Sequence, residues 1–173
     1  MSNPVQFTKR VVAAASGALL ACSFVADASA EKRDCSHSKQ SKQEISRTVA
    51  QPSGVAGHEL IQTVRIDGLT SANPDFNGLD QLVYGQIDHV YGTGDHRGHS
   101  INLHRNGDRS YVRWSGNHKT AAIDGGGWET SFDGKYEFTG GTGKFAMIKG
   151  GGTYRGKITP QGLTEQDSCT ADY

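Results

Sequence analysis

The fold class of this chain is decided by the segment His99–Trp114, HSINLHRNGDRSYVRW. Asn106 and Gly107 both tolerate the positive φ angles that a type I′ turn demands, and a two-residue loop of this kind joins two antiparallel strands. The loop also fixes the register, so that Leu103 is expected opposite Ser110. The segment therefore predicts a β-hairpin.

Alternation of apolar and polar residues continues on the N-terminal side of this hairpin. Val64 and Ile66 alternate with Arg65 and Asp67, and the segment 82–91 has the same period of two. A period of two is the pattern of a half-buried strand with one apolar face. We therefore expect Val64 and Ile66 to face the core.

Turn signals recur toward the C-terminus. Asp133-Gly134 predicts a second two-residue hairpin, Pro-Gln-Gly at 160–162 predicts a looser turn, and the glycine clusters at 125–127 and 150–152 indicate more turns. Roughly seven or eight short strands without a useful helical period are typical of a sandwich or a barrel. Sequential hairpins favour an all-β, antiparallel up-and-down barrel of about eight strands over residues 58–173, because closure removes exposed strand edges.

The N-terminal thirty residues have the features of an export signal. Lys9 and Arg10 precede an uncharged run from Val11 to Val25, which ends near Ala28-Ser-Ala30, a small-x-small cleavage pattern. The run is shorter than the roughly 20 apolar residues that a membrane-spanning helix needs. We expect residues 1–30 to be removed as a signal peptide and the mature protein to be periplasmic or secreted.

A lipoprotein signal is the alternative interpretation of the same segment. Leu19-Leu-Ala-Cys22 also fits a bacterial lipoprotein cleavage box in which Cys22 is acylated. Acylation would anchor the protein to a membrane through lipid chains. Both interpretations predict export.

The segment 31–57 is rich in Ser, Lys, Gln and His and offers few apolar residues to bury. Such a composition does not offset the entropy lost on ordering. We therefore expect a polar, flexible and disordered leader before the barrel.

Charge excludes one class of partner. Removal of residues 1–30 takes away two of the 18 basic residues and one of the 18 acidic residues, which leaves a net charge near −1. A chain with this balance offers no electrostatic case for binding nucleic acid or an anionic membrane surface.

Two cysteines remain in the mature chain, Cys35 near its start and Cys169 near its end. An even pair in an oxidising compartment indicates a disulfide. Two free thiols are the alternative, while a metal site is disfavoured because neither cysteine has a partner at ligand spacing.

The segment Tyr136–Lys157 is the most distinctive part of the chain. Within it, Thr139-Gly-Gly-Thr-Gly-Lys-Phe145 resembles the Gly-Gly-Thr-Gly-Lys/Arg-Phe signature of the allene oxide cyclase and dirigent families. Both families are eight-stranded antiparallel barrels, so the resemblance implies a barrel whose lumen receives a small, mostly apolar molecule. It transfers no pocket residue to a numbered position here. The glycines also have a structural explanation, since they let a strand bend sharply at a barrel corner.

Cofactor signals are weak in this sequence. A phosphate loop requires Gly at the position occupied by Phe138, and Phe145 follows the lysine where Ser or Thr is needed. His96 and His99 are candidate metal ligands only if Arg97-Gly98 forms a turn, because side chains three apart in a strand point to opposite faces. We predict no cofactor.

The first hairpin carries the best candidate constellation. Strict alternation with the two-residue loop places six polar side chains on one face: Ser100, Asn102, His104, Arg109, Tyr111 and Arg113. Directed into a lumen, His104 would act as a general acid or base with Tyr111, and the remaining polar groups would orient a carboxylate or a carbonyl. Directed outward, the same residues form an ordinary solvated strand face.

The candidate ligand-binding residues on this interpretation are Asn102, Arg109, Arg113, Trp114 and Trp128. Our leading hypothesis is an exported barrel that binds a small hydrophobic or amphipathic molecule without a cofactor. A cofactor-free isomerase or cyclase is the alternative, and a structural envelope protein is a second one. The sequence leaves open whether the barrel forms a homo-oligomer.

Overall fold

The computed structural model describes residues 31–52 and 54–173. The predicted signal peptide, its cleavage site and Cys22 lie outside the described residues. The described part of the chain contains no helix that is long and apolar enough to cross a membrane.

The described chain is built almost entirely from antiparallel strands. Nine strands follow one another: β1 Lys32–Asp34, β2 His37–Ala50, β3 His58–Ser71, β4 Asp80–Val90, β5 Thr93–Leu103, β6 Arg109–Ile123, β7 Gly127–Gly141, β8 Lys149–Thr159 and β9 Gly162–Asp172. Each strand from β2 to β9 pairs with its successor, except that β9 pairs back with β2 and closes the sheet. The prediction of an eight-stranded up-and-down antiparallel barrel is confirmed, and β1 is an additional short strand paired with β9.

The barrel is closed by a short seam. Only His37–Gln40 of β2 pair with Thr164–Asp167 of β9. Beyond this point β2 leaves β9 and pairs with β3 alone, through two register shifts, while its side chains are exposed. The prediction of a disordered leader over 31–57 is wrong for most of that segment, because it supplies β1 and a barrel strand. Its polar composition suits an edge that needs no buried side chains.

The first hairpin has a longer loop than its sequence indicates. The Gly107 amide donates to the His104 carbonyl and the His104 amide donates to the Asp108 carbonyl, both at 3.0 Å. Gly107 has a φ of 88°, so the loop is a three-residue turn with a glycine bulge. Leu103 therefore pairs with Arg109 instead of Ser110. This one-residue correction exchanges the two faces of β6 relative to β5.

The predicted hairpin at Asp133-Gly134 is also wrong. Both residues lie in the middle of β7, where Gly134 pairs with Gly116 on one side and Tyr154 on the other. A Cβ at Gly134 would lie 2.3 Å from the Tyr154 hydroxyl oxygen, so glycine is needed there for a close side-chain approach. It does not mark a turn.

The other turn signals have mixed outcomes. The clusters at 125–127 and 160–162 do lie at the β6–β7 and β8–β9 connections. The cluster at 150–152 lies within β8 instead. A glycine cluster in this chain thus marks either a turn or a strand segment whose backbone lies too close to neighbouring strands for a side chain.

The face assignment of β3 is reversed. Asp67 is fully buried and Thr63 nearly so, while Val64 and Ile66 have the opposite parity and face outward. Alternation located the strand correctly but did not identify its inner face, because the barrel interior contains charged groups that are paired.

One end of the barrel is closed by a plug of aromatic side chains. Phe76 from the β3–β4 loop and Phe145 from a short 3₁₀ turn at Gly143–Phe145 are both buried. His104 stacks on Phe145 with 3.7 Å between ring centroids, and Tyr173 packs against the same ring. The glycine-rich segment 139–145 therefore ends β7 and delivers Phe145 to the plug.

A disulfide between Cys35 and Cys169 lies at the same end, as predicted. It joins the residue that precedes β2 to β9, with Cα atoms 4.8 Å apart. The Cys35 amide also donates to the Cys169 carbonyl at 3.2 Å. The disulfide therefore reinforces the seam that closes the barrel.

Removal of this disulfide is predicted to lower the free energy of unfolding by about 4 kcal/mol. Without the cross-link, the unfolded chain regains the conformational entropy of a loop whose ends are 134 residues apart. Urea unfolding of a Cys35→Ser/Cys169→Ser variant against the wild type measures the difference. Reductant should shift the midpoint of the wild type and leave that of the double variant unchanged. A wild-type midpoint that is insensitive to reductant would contradict the prediction.

Candidate functional site

The barrel lumen is the candidate site. It holds a cavity of about 90 Å³ between the plug and the opposite end of the barrel. At that end, residues 51–52, 54–57, 91–92, 124–126 and 160–161 lie between the strands, and we call it the open end. The apolar part of its wall is supplied by Val83, Ile87, Val112, Trp114, Phe132 and Phe138. This volume is smaller than the roughly 150 Å³ of a cavity that holds benzene. The lumen therefore fits a narrow group better than a broad ring system.

Inward-facing glycines let large rings lie flat against the barrel wall. Trp114 pairs with Gly98, where a Cβ would come within 2.4 Å of the indole. His96 and Tyr154 are separated on the inner face by Gly116 and Gly134 of β6 and β7. Across these two residues the His96 Nε2 and the Tyr154 hydroxyl oxygen lie 2.8 Å apart.

A cluster of buried charges lies where the barrel closes. Lys39 of β2 forms an ion pair with Glu165 of β9 and lies 3.6 Å from an Asp167 carboxylate oxygen. On β3, the Arg65 Nε donates to both carboxylate oxygens of Asp67 at 3.0 Å. We call Lys39, Glu165, Asp167 and His37 the seam cluster. Its members line the cavity, and their carboxylates and imidazole are nearly inaccessible to solvent.

The ionisation of the seam cluster is set by burial and by its one cation. Burial opposes ionisation of Glu165, but the neighbouring Lys39 ammonium outweighs it and lowers the pKa of Glu165. Burial also lowers the pKa of Lys39, but the two carboxylates outweigh it and raise that pKa. Lys39 and Glu165 are therefore an ion pair. Burial, reinforced by the Glu165 charge, raises the pKa of Asp167 to about 8.

Asp167 carries a proton in this arrangement and the neighbouring His37 does not. The His37 Nδ1 lies 2.9 Å from the Cys35 carbonyl oxygen, and because a carbonyl only accepts, Nδ1 carries the ring hydrogen. Burial lowers the pKa of His37 to about 4, so the ring is neutral and Nε2 is an acceptor. Nε2 lies 3.5 Å from the Asp167 Oδ2. A protonated Asp167 therefore faces a neutral imidazole across a gap wider than a short hydrogen bond.

The seam cluster also has unsatisfied hydrogen-bonding capacity. Buried polar atoms without a hydrogen-bond partner among the described residues include His37 Nε2 and both oxygens of Asp167, and Tyr136 Oη, which also lines the cavity. Such atoms cost free energy unless they are satisfied. The arrangement suits a donor or acceptor group that enters from the lumen.

The structure places the predicted catalytic residue His104 in the plug. Its Nδ1 donates to the Asp75 carbonyl and its Nε2 accepts from the Ser110 hydroxyl, both at 2.9 Å. Ser110 in turn accepts from the Asn102 amide at 3.0 Å, and Asn102 accepts from the Gln81 amide at 2.7 Å. Both nitrogens of His104 are thus used in a chain of structural hydrogen bonds.

The other predicted residues are divided between the two faces. Asn102 and Trp114 point inward, and the Trp114 Nε1 donates to the Ser100 hydroxyl at 2.9 Å. Arg109, Tyr111 and Arg113 belong to the outer face, because the three-residue loop changes the register of β6. Arg113 forms its ion pair there with Glu137. The constellation predicted from the hairpin is therefore not assembled.

Trp128 has inward parity but lies near the start of β7, at the open end, and is 42% exposed.

His96 and His99 lie on opposite faces of an uninterrupted β5, so the suggested shared metal ion between them is excluded. Among residues 31–52 and 54–173, no group of three or more His, Cys, Asp or Glu side chains is arranged to hold a metal ion.

The seam cluster is not predicted from the sequence, although the sequence contains one indication of its inward-facing carboxylates. Cys169 must point toward Cys35 to form the disulfide, and alternation then places Glu165 and Asp167 on the same face of β9. Cys35 gives the same parity to His37 and Lys39, but only where their segment is a strand, and its polar composition predicts a leader instead.

Comparisons with known proteins add little to this description. No known family profile and no curated protein matches the sequence. Among solved structures, the pterocarpan synthase dirigent protein GePTS1 is similar, with a TM-score of 0.45 and 12% sequence identity, and the match covers 83% of this chain and 89% of that chain. No residue role is transferred at this level of similarity. The barrel assignment rests on the strand pairing of the chain itself.

Substitution of Asp167 by Asn is predicted to change how stability depends on pH. Folded Asp167 keeps its proton up to about pH 8, whereas the unfolded side chain loses it near its ordinary pKa of 3.8. The folded state therefore binds more protons between these values, and the contribution of Asp167 to stability falls as pH rises. The free energy of unfolding of the Asn variant, relative to wild type, should increase with pH from about 4 to 8, by at most about 1.4 kcal/mol per pH unit.

Urea unfolding at several pH values measures this difference. Asp133→Asn on the exposed face of β7 is the matched control and should show no such trend. A flat difference between Asp167→Asn and wild type would mean that Asp167 is ionised in the folded protein at neutral pH.

Substitution of Ser110 by Ala is predicted to destabilise the protein by about 1–3 kcal/mol, because it leaves buried groups of His104 and Asn102 unpaired. Ser115→Ala, on the exposed face of the same strand, should have no measurable effect. Thermal unfolding of both variants makes the comparison. Equal melting temperatures would show that the chain of hydrogen bonds does not hold the plug.

Proposed function

We propose that this protein is an exported barrel that binds one narrow, amphipathic molecule in its lumen without a cofactor. The observation that carries the proposal is the position of the seam cluster, whose unpartnered polar atoms face a cavity with apolar and aromatic walls. A site of this kind combines apolar burial with a few fixed polar contacts, as ligand pockets do.

The shape of the lumen supports an elongated ligand. The cavity volume of about 90 Å³ accepts a polar head and the start of a chain, and the remainder would extend through the open end. The head would exchange hydrogen bonds with Asp167 and His37, while the chain contacts Trp114 and Phe132. Linear alcohols and related hydroxylated chains have this form.

The disulfide supports the export part of the proposal. Disulfides persist in oxidising compartments and are rare in the cytosol. The pairing of Cys35 with Cys169 is therefore consistent with the export signal expected at residues 1–30. Processing at Glu31 gives a soluble periplasmic or secreted protein, whereas processing at Cys22 gives an anchored one.

A cofactor-free isomerase or cyclase is the second candidate function. The specific observation in its favour is that the buried Asp167 carries a proton and lies beside the neutral, equally buried His37. Asp167 would donate that proton to a bound substrate and the neutral His37 would accept one. On this alternative, Asp167→Asn abolishes turnover and retains binding.

Narrowing the lumen is predicted to abolish binding, and the chain offers a matched control. Val83 faces the cavity and Leu82, the residue before it, has outward parity. Val83→Phe should weaken the binding of 1-hexanol at least tenfold, whereas Leu82→Phe should leave it within twofold. The indole resonances of Trp114 and Trp128 in ¹H–¹⁵N NMR spectra report the titration.

Native mass spectrometry of the mature protein tests the same proposal without a chosen probe. A small molecule released on denaturation would identify the ligand class, and the same spectrum would show an acyl chain on Cys22.

In the NMR titration, equal binding of 1-hexanol by the Val83→Phe and Leu82→Phe variants would overturn the lumen as the site. Circular dichroism confirms that both variants remain folded, since overpacking costs about 1–3 kcal/mol.

A further inference from the structure

A second polar group lines the open end of the lumen, opposite in chemistry to the protonated Asp167. His118 of β6 is nine-tenths buried and lines the cavity. Its Nε2 lies 3.0 Å from the His89 Nδ1 of β4. The His89 Nε2 lies in turn 3.0 Å from a Glu59 carboxylate oxygen of β3.

Gly94 makes this contact geometrically feasible. His89 and His118 are the partners of Gly94 on its two sides in the sheet. Because Gly94 has no side chain, the two imidazoles meet across β5, with ring centroids 5.3 Å apart. A Cβ at this position would lie 2.0 Å from the Asp88 carbonyl oxygen and 2.7 Å from the His89 Cα, so no side chain fits there.

The direction of the hydrogen bonds follows from the carboxylate. The His89 hydrogen bond lowers the pKa of Glu59, so this carboxylate is ionised and only accepts. His89 must therefore donate from Nε2, and its Nδ1 becomes an acceptor when the ring is neutral. His118 then donates from Nε2 to the His89 Nδ1, which leaves the His118 Nδ1 without a hydrogen and with a free lone pair. This order holds when both imidazoles are neutral.

The remaining nitrogen of His118 has no protein partner. His118 Nδ1 is buried and makes no hydrogen bond within the described residues. Burial, with His89 nearby, lowers the pKa of His118, so the ring is neutral near pH 7. A neutral nitrogen with a free lone pair is a hydrogen-bond acceptor.

We propose that Glu59, His89 and His118 form a relay that fixes His118 Nδ1 as an acceptor for the hydroxyl or N–H donor of a molecule bound in the lumen. The inference rests on the proposed function of the lumen and extends it to the class of ligand. The site would select neutral molecules that carry a donor near the open end and discriminate against matched ethers. Glu59 and His89 are positioning residues, and His118 is the binding residue.

The relay itself is tested without any ligand. ¹H–¹⁵N correlation spectra of the imidazole nitrogens at pH 8 distinguish the two neutral tautomers. In the wild type, His89 and His118 should both carry hydrogen on Nε2. Glu59→Gln, a change at a partly exposed position, replaces one acceptor oxygen by a donor amide, so the single tautomer of both rings should be lost. His58→Gln is the matched control, because His58 pairs with Asp88 at the same end of the barrel and does not belong to the relay.

The ligand preference is tested with 1,6-hexanediol and 5-methoxypentan-1-ol, which have the same number of heavy atoms. Each keeps one hydroxyl for the seam cluster, and they differ in whether the other end carries a hydroxyl donor for His118 or a methyl ether. The wild type should prefer the diol about fivefold, the value of one neutral hydrogen bond. His118→Phe and Glu59→Gln should both reduce this preference to below twofold, and His58→Gln should retain it.

The outcomes separate this inference from the proposed function. Binding of both probes with an equal preference in the wild type and in His118→Phe would overturn the role of His118 and leave the lumen as a binding site. A proton on His118 Nδ1 in the wild type would overturn the relay. Failure of both probes to bind would overturn the proposed function together with the ligand role, while the tautomer measurement would still decide the relay.

Discussion

Closure of the barrel between β2 and β9 is the constraint on which the rest of the structure depends. Only four residue pairs join these strands. The seam is reinforced by the disulfide at one end and by the Lys39–Glu165 ion pair inside. A buried ion pair of this kind requires both partners, since removing one leaves a charge without compensation. The same four pairs bring Asp167 beside His37, so the element that closes the fold also assembles the candidate site.

Inward-facing glycines determine how the side chains pack in the interior of the barrel. Gly98 gives space to Trp114, Gly116 and Gly134 separate His96 from Tyr154, and Gly94 separates His89 from His118. In the last two cases, side chains from strands that are not neighbours contact each other across the intervening glycines. Large rings therefore fill a narrow lumen, and polar groups from distant parts of the sequence become hydrogen-bonded.

The sequence predicted those features that depend on local chemistry. The disulfide, the barrel class and the turns at 106–107 and 125–127 follow from cysteine number, alternation and residues that tolerate positive φ. The functional interior did not follow, for two physical reasons. One additional residue in the loop before Asp108 reverses the face of Tyr111 and Arg113. Burial of Arg65 and Asp67 as a pair reverses the usual relation between apolar residues and the core.

A polar strand segment can form part of a core when its partners are distant in sequence. His37 and Lys39 were assigned to a leader because nothing near them balances their polarity. Their partners, Glu165 and Asp167, lie at the other end of the chain. Parity from Cys169 identifies the inward face of β9, whereas parity from Cys35 reaches His37 and Lys39 only if their polar segment is a strand. Long-range pairing of this kind is read from strand topology, which a single sequence does not specify.

The charges of the lumen bear on the class of ligand that the proposed function implies. The cations Lys39 and Arg65 are balanced by Glu165 and Asp67, and Asp167 holds its proton at neutral pH. A charged ligand would therefore enter without a free counter-charge and would lose its hydration without compensation. A neutral ligand meets no such penalty, because it exchanges hydrogen bonds only with groups that already lack partners. On the proposed function, the electrostatics of the seam would therefore favour neutral, hydrogen-bonding molecules over charged ones, independently of their length.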